Sequence, residues 1–135
     1  MKKQNGFTLI EILVVIAIIA GLVALVAPNI LGSAGEARIK TAKAQIANIV
    51  SAMDLYKLDN FTYPKNDEGI EALVNKPDSA KNWKAGGYLK KVPTDPWGNT
   101  FLYFAEGGEF EIISLGANGE EGGEGDDADI SSKDL

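Results

Sequence analysis

Gly6-Phe7-Thr8-Leu9-Ile10-Glu11 is followed by sixteen residues, Ile12 to Ala27, without a polar side chain, and the architecture of the whole chain follows from this segment. No charge appears between Glu11 and Glu36. A helix that spans a bilayer needs roughly 20 mostly apolar residues. Phe7 to Ala27 supplies twenty-one, with Thr8 and Glu11 as the polar exceptions. Lys2 and Lys3 precede the run and hold that end in the cytoplasm. Glu11 is the anomaly. A charged side chain at membrane depth costs about 2.5–3.5 kcal/mol on insertion scales, so a lone carboxylate there needs a partner.

Three readings compete for this segment. A cleaved secretory signal needs a small-x-small site after its apolar core. Ala24-Leu25-Val26-Ala27 misses that spacing, and Pro28 follows at once. A plain signal anchor has no use for Glu11. In the third reading, Gly6 to Glu11 resembles the site at which a prepilin peptidase cuts after the glycine and methylates the new amino terminus. That resemblance implies a leader over residues 1–6, cleavage between Gly6 and Phe7, and N-methylation of Phe7. Cutting there leaves a cationic amine on Phe7, about one helical turn from Glu11. A carboxylate paired with the amine of a neighbouring subunit escapes the cost of isolation. Glu11 is therefore expected to act in assembly, setting the register of each incoming subunit. The competing view leaves Glu11 snorkelling at the interface without a role.

Outward from this segment, Pro28 lacks an amide hydrogen and is expected to kink or locally melt the helix. Gly32 and Gly35 weaken it further. Beyond them Ile39, Ala42, Ile46, Ile49, Val50, Met53 and Tyr56 recur at helical spacing and form one apolar stripe. The spacing predicts one helix from about Leu9 to Leu58, half in the membrane and half packed on a small head. Phe61-Thr62-Tyr63-Pro64 ends the pattern, and Asp67 to Leu73 reads as a short helix. Asp95-Pro96-Trp97-Gly98-Asn99 is a tight turn. Thr100–Phe104 and Glu109–Ser114 read as two strands joined across Glu106-Gly107-Gly108. Trp83, Trp97 and Tyr88 are expected in the head core.

Composition narrows the chemistry. Of the formal charge of −6, residues 106–135 hold ten acids against the single base Lys133. Five glycines between Gly116 and Gly125 make this a turning loop rather than a brush. There is no Cys and no His, so serine–histidine and cysteine–histidine catalysis and a histidine-bound zinc are excluded. Any metal would meet oxygen ligands, which suit a hard cation such as calcium. Asp126-Asp127 are adjacent on a glycine-rich loop, a poor way to hold an acid and a base apart at a fixed distance. Lys81, Lys84, Lys90 and Lys91 form a basic cluster that either meets the acidic loop of a neighbour or is simply solvated.

Beyond the leader, Tyr63-Pro64, Glu68-Gly69, Trp83, Gly87-Tyr88-Leu89, Val92-Pro93 and Asp95-Pro96-Trp97-Gly98-Asn99 resemble the major pseudopilin family of type II secretion in order and spacing. So do Ser114-Leu115-Gly116-Ala117-Asn118-Gly119 and Gly122-Gly123-Glu124-Gly125-Asp126-Asp127-Ala128-Asp129-Ile130. The resemblance covers nearly the whole chain. It implies a last loop closed around Ca2+, with ligands from the carbonyls of Leu115 and Glu120 and the side chains of Asn118, Asp126 and Asp127. The family usually carries aspartate where this chain has Asn118, which lowers the expected affinity or recruits Glu124. The competing view is a solvated acidic tail.

The fold expected is α+β and pilin-like: a long amino-terminal helix packed on a small antiparallel sheet of two or three strands, with a carboxy-terminal calcium-binding loop. Residues 1–6 are the leader, 7–30 the transmembrane and filament-core helix, and 31–135 a periplasmic head that includes the amphipathic half of the helix. The resemblance implies a non-enzymatic subunit of a periplasmic pseudopilus, anchored once in the bacterial inner membrane and assembled into a helical homo-oligomer. Expected partners are a prepilin peptidase, minor pseudopilins, the inner-membrane assembly platform and the membrane itself, with no nucleic acid. Two rivals remain: a major pilin of a type IV pilus, and a membrane-tethered calcium-binding domain that does not polymerise.

Overall fold

The computed structural model describes residues 6–135, with the side chains of residues 29–31 outside the described set. The expected leader, Lys2 and Lys3 included, therefore lies outside the described residues except for Gly6. Helix α1 runs Leu9–Asn60. Of the kink or local melting expected at Pro28, melting does not occur: the helix is continuous through it, and the missing amide is a gap in the ladder. The chain divides into two units, one up to Gly35 and one of Glu36–Leu135.

In the second unit the stripe is the core. Ala42, Ile46, Ile49, Met53 and Tyr56 of α1 are buried, with Ile39 and Val50 packed at the edge. They meet Ile70, Leu73, Phe101, Ile112 and Ile130. Full burial of an aliphatic or aromatic side chain stabilises by about 1.5–3 kcal/mol, so this cluster is what holds the head together. Trp83, Tyr88 and Trp97 pack against it, as expected, and the Trp83 indole donates to the Ala72 carbonyl at 2.9 Å.

Helix α1 ends at Asn60, two residues beyond the expected end. Phe61 turns left-handed at φ 67°, and its amide donates to the Lys57 carbonyl at 2.7 Å. That position usually belongs to glycine. Asn60 secures the end from the side: its amide reaches the Tyr56 carbonyl and the Tyr88 hydroxyl, and its Oδ1 accepts from the Asn82 amide.

The expected helix over Asp67–Leu73 is shorter, a 3-10 turn at Ile70–Leu73. Gly69 precedes it at φ 56°, outside helical space, so the helical run cannot extend backward to Asp67. Strand β1 spans Leu102–Glu106 and strand β2 Glu109–Ser114. The first strand thus starts two residues later than expected. The two pair antiparallel with Glu106 opposite Glu109, leaving Gly107 and Gly108 as the turn. Both glycines have positive φ, the twist a two-residue hairpin requires. Strand β3, Ile130–Ser131, pairs antiparallel with the other side of β2. On the outer edge of β1, the Asn66 side chain donates to the Ala105 carbonyl at 3.0 Å and accepts from its amide at 2.6 Å.

Candidate functional site

The first site is the start of α1. Gly6, Phe7 and Thr8 are exposed and not helical, so the Gly6–Phe7 bond lies in open chain ahead of Leu9. The first amides of a helix have no partner within it. Here Thr8 and Glu11 satisfy them reciprocally. The Glu11 amide donates to Thr8 Oγ1 at 3.3 Å. Glu11 Oε2 accepts from both the Thr8 amide and the Thr8 hydroxyl at 2.8 Å. This is a capping box, and the spacing Thr8-Leu9-Ile10-Glu11 carries its signature. The sequence reading missed it because a glutamate in an apolar run drew all attention to assembly. A carboxylate in the first turn also lies at the favourable end of the helix dipole. From Leu9 to Val26 the large apolar side chains are exposed around the whole circumference, and the helix holds a window of mean hydropathy 3.1. That surface is long and apolar enough to cross a bilayer.

The second site is the loop between β2 and β3. The β2–β3 pairing of Ser114 with Ile130 clamps its two ends. Asp95, only 4% exposed, anchors the base. Its Oδ1 accepts from the amides of Trp97 and Asn99, and its Oδ2 accepts from the Ser114 hydroxyl at 2.7 Å. Asn99 in turn donates to the Gly116 carbonyl at 3.2 Å. Within the loop the Ala117 amide donates to the Asp126 carbonyl at 2.8 Å. The Gly122 amide donates to Asp129 Oδ2 at 2.9 Å. The limbs approach so closely that a Cβ on Gly116 would lie 2.8 Å from the Asp126 carbonyl, and one on Gly123 would lie 2.6 Å from that of Asp127. Only glycine fits at either place.

The sequence-expected ligands fall as follows. Leu115 is half-buried at the loop base, while Asn118, Glu120, Asp126 and Asp127 are exposed. Asp126 and Asp127 share the 3-10 turn Gly125–Asp127, with Glu124 just before it. The Ala117–Asp126 bond brings the neighbours of Asn118 and Asp127 together. Asn118 Oδ1 accepts from the Glu120 amide at 3.1 Å, which leaves its second lone pair available. Among the described residues no three carboxylates gather into a cluster. The implied set does not call for one, since it takes two carboxylates, one amide and two carbonyls. The single ion pair among the described residues, Lys133 with Glu111 at 3.0 Å, leaves Glu120, Glu124, Asp126 and Asp127 without a cationic partner. An oxygen-only set on a loop folded by glycines suits a hard cation. The sequence reading missed Asp95, Asn99 and Asp129. The aspartate opening the Asp95–Asn99 turn was the legible signal for the first, because that position bonds its own backbone two residues on.

A long amino-terminal helix, apolar at its start and packed farther on against a small antiparallel sheet, defines the class of pilin-like subunits. The match to known proteins is closer than that. Residues 29–133 match the family model for type II secretion system (T2SS) protein G, and residues 1–27 match the prokaryotic N-terminal methylation motif. The type II secretion system core protein G of Pseudomonas aeruginosa is 51% identical over 138 residues, covering 98% of this chain and 97% of that one. The protein of the same name from Vibrio cholerae is 46% identical over 139 residues, covering 100% of this chain and 95% of that one. The crystal structure of the major pseudopilin from the type 2 secretion system of enterohaemorrhagic Escherichia coli superposes with a TM-score of 0.68 at 30% identity, covering 80% of this chain and 96% of that one. The chain belongs to the type II secretion system protein G family. These matches do not favour the type IV pilus alternative.

Proposed function

We propose that this chain is the major structural subunit of a periplasmic pseudopilus, cut between Gly6 and Phe7, methylated on Phe7, and drawn from the inner membrane into a filament that drives protein export. It works by polymerising and catalyses nothing. The observation that carries this reading is the solitary carboxylate of Glu11 at the head of a helical stretch, Leu9 to Val26, exposed and apolar on every face. Both Thr8 bonds go to Oε2, and no hydrogen bond among the described residues engages Oε1. Oε1 is the atom that receives the Phe7 amine of a neighbouring subunit. A prepilin peptidase, minor pseudopilins and an inner-membrane assembly platform are the partners this role requires.

The second element of the proposal is the loop. Leu115 and Glu120 carbonyls with the Asn118, Asp126 and Asp127 side chains would hold calcium. When bound, the ion cancels repulsion among carboxylates that have no cation of their own and ties the two limbs together. Mass spectrometry of membrane-extracted protein tests the first element: the chain should begin at methylated Phe7. A chain beginning near Pro28 would refute it. Restored secretion in a strain lacking its own protein G tests the role in export. Crosslinks between copies through α1 separate a polymer from a tethered domain that stays monomeric.

A further inference from the structure

We propose that Asn118 is a site of spontaneous deamidation, in which the Gly119 backbone nitrogen displaces ammonia from the side chain and leaves a carboxylate in the acidic loop. Beyond Gly6, Asn118 is the only asparagine followed by glycine. Such a pair closes a five-membered imide readily, because no side chain on the second residue obstructs the attack. Both residues are exposed. Asn118 Oδ1 accepts from the Glu120 amide at 3.1 Å, and the ring this bond closes contains both the Asn118 Cγ and the Gly119 nitrogen. The donor stands where negative charge develops on Oδ1 as the nitrogen adds, the arrangement that stabilises a tetrahedral intermediate. No hydrogen bond among the described residues occupies the Gly119 amide.

The reaction balances without an oxidant or a cofactor. The Gly119 nitrogen gives its proton to solvent and bonds to Asn118 Cγ. Nδ2 takes up a proton from solvent, the Cγ–Nδ2 bond breaks, and ammonia leaves. Water then opens the imide at either carbonyl, giving an aspartyl or an isoaspartyl residue. Either product makes the loop one charge more negative. The aspartyl form keeps the backbone as it is, whereas the isoaspartyl form lengthens it by one carbon. The inference does not depend on calcium or on assembly.

Ageing the full chain in detergent micelles at mildly alkaline pH tests it. An acidic form should accumulate over days and co-migrate on isoelectric focusing with the Asn118→Asp variant. Peptide mapping should place the amide-to-acid mass change at residue 118, and isoaspartyl methyltransferase should label part of the product. Accumulation should quicken as pH rises, since the attacking nitrogen must lose its proton. Gly119→Ala should slow it severalfold. A Cβ there meets nothing nearer than the Asn99 side chain at 3.5 Å, although φ of +69° disfavours it. Should that variant misfold, Asn118→Gln serves instead, because its longer side chain closes a larger ring slowly. The proposal fails if the folded chain stays unconverted while the urea-unfolded chain converts. It fails equally if the change maps to another asparagine, or if either variant converts as fast as the parent.

Discussion

Exposure of the large apolar side chains between Leu9 and Val26 runs from 45% at Ile12 to 81% at Leu9, while Ile46, Met53 and Leu73 in the head are fully buried. The two regions have similar raw material and opposite solutions. The head satisfies its apolar surface within one chain and spends its polar residues on anchoring turns. The amino-terminal helix leaves its apolar surface for other molecules and carries one polar device, the Thr8–Glu11 box. A change in the first region should therefore alter assembly and spare the head, and a change in the second should do the reverse.

The largest effect expected is from Glu11→Ala. It removes a charge that would lie at membrane depth, so insertion should be as good or better. Filament formation and secretion should be lost, while the melting of the head, followed through its two tryptophans, stays unchanged. A variant that assembles like the parent would remove the reason for separating the regions. Next is Asp95→Ala. It strips the acceptor from two backbone amides and the Ser114 hydroxyl in a buried setting. The head should lose about 3 kcal/mol, since hydrogen bonds to charged groups are worth about 1.5–3 kcal/mol and orphaned buried donors add to the loss. Thermal unfolding measures this, and membrane insertion should not respond.

Calcium comes third. If the loop holds the ion in the folded state alone, a hundredfold excess over Kd stabilises by about 2.7 kcal/mol. The melting temperature of the full chain in micelles should fall on chelation. It should recover with calcium and not with magnesium, which demands a stricter octahedral site. Asp127→Ala should abolish the response, and a chelator-independent melting temperature would leave the loop an acidic appendage.

The smallest effect is at Glu111. The Ser131 hydroxyl and the Lys133 ammonium hold its carboxyl below the usual value of 4.5. The folded chain thus binds fewer protons here than the unfolded one. The stabilisation is complete above the unfolded value and fades as pH falls through the lower, folded one. Lys133 is 61% exposed, so solvent screens the pair and the slope should be shallow. Glu111→Gln should flatten the acid limb of the stability curve slightly.

Periodicity made the long elements legible. The Ile39–Tyr56 stripe became the core of the head, and Glu109–Ser114 became β2 at its expected bounds. What escaped was local and polar. Asp67–Leu73 has the composition of a helix, yet the left-handed Gly69 cuts it to one turn. Asp95 looked like punctuation because its third partner, Ser114, lies nineteen residues away, and no spacing announces that bond. The acidic loop showed its glycines in the sequence, but that Asp129 folds back on Gly122 needed the chain's path. At Glu11 the signal was present in four consecutive residues and was outweighed by a more conspicuous reading of the same carboxylate.

Ala105 turns its amide and carbonyl away from β2, and the Asn66 side chain takes both. An open strand edge is a template: any extended chain that reaches it can add on, and such growth has no natural end. Copies of one chain crowded side by side meet that hazard at every encounter. With an amide side chain standing in for the next strand at Ala105, neighbouring sheets are kept from knitting into one another. In the filament proposed above, joining would then fall to the apolar helices, leaving each head a closed unit.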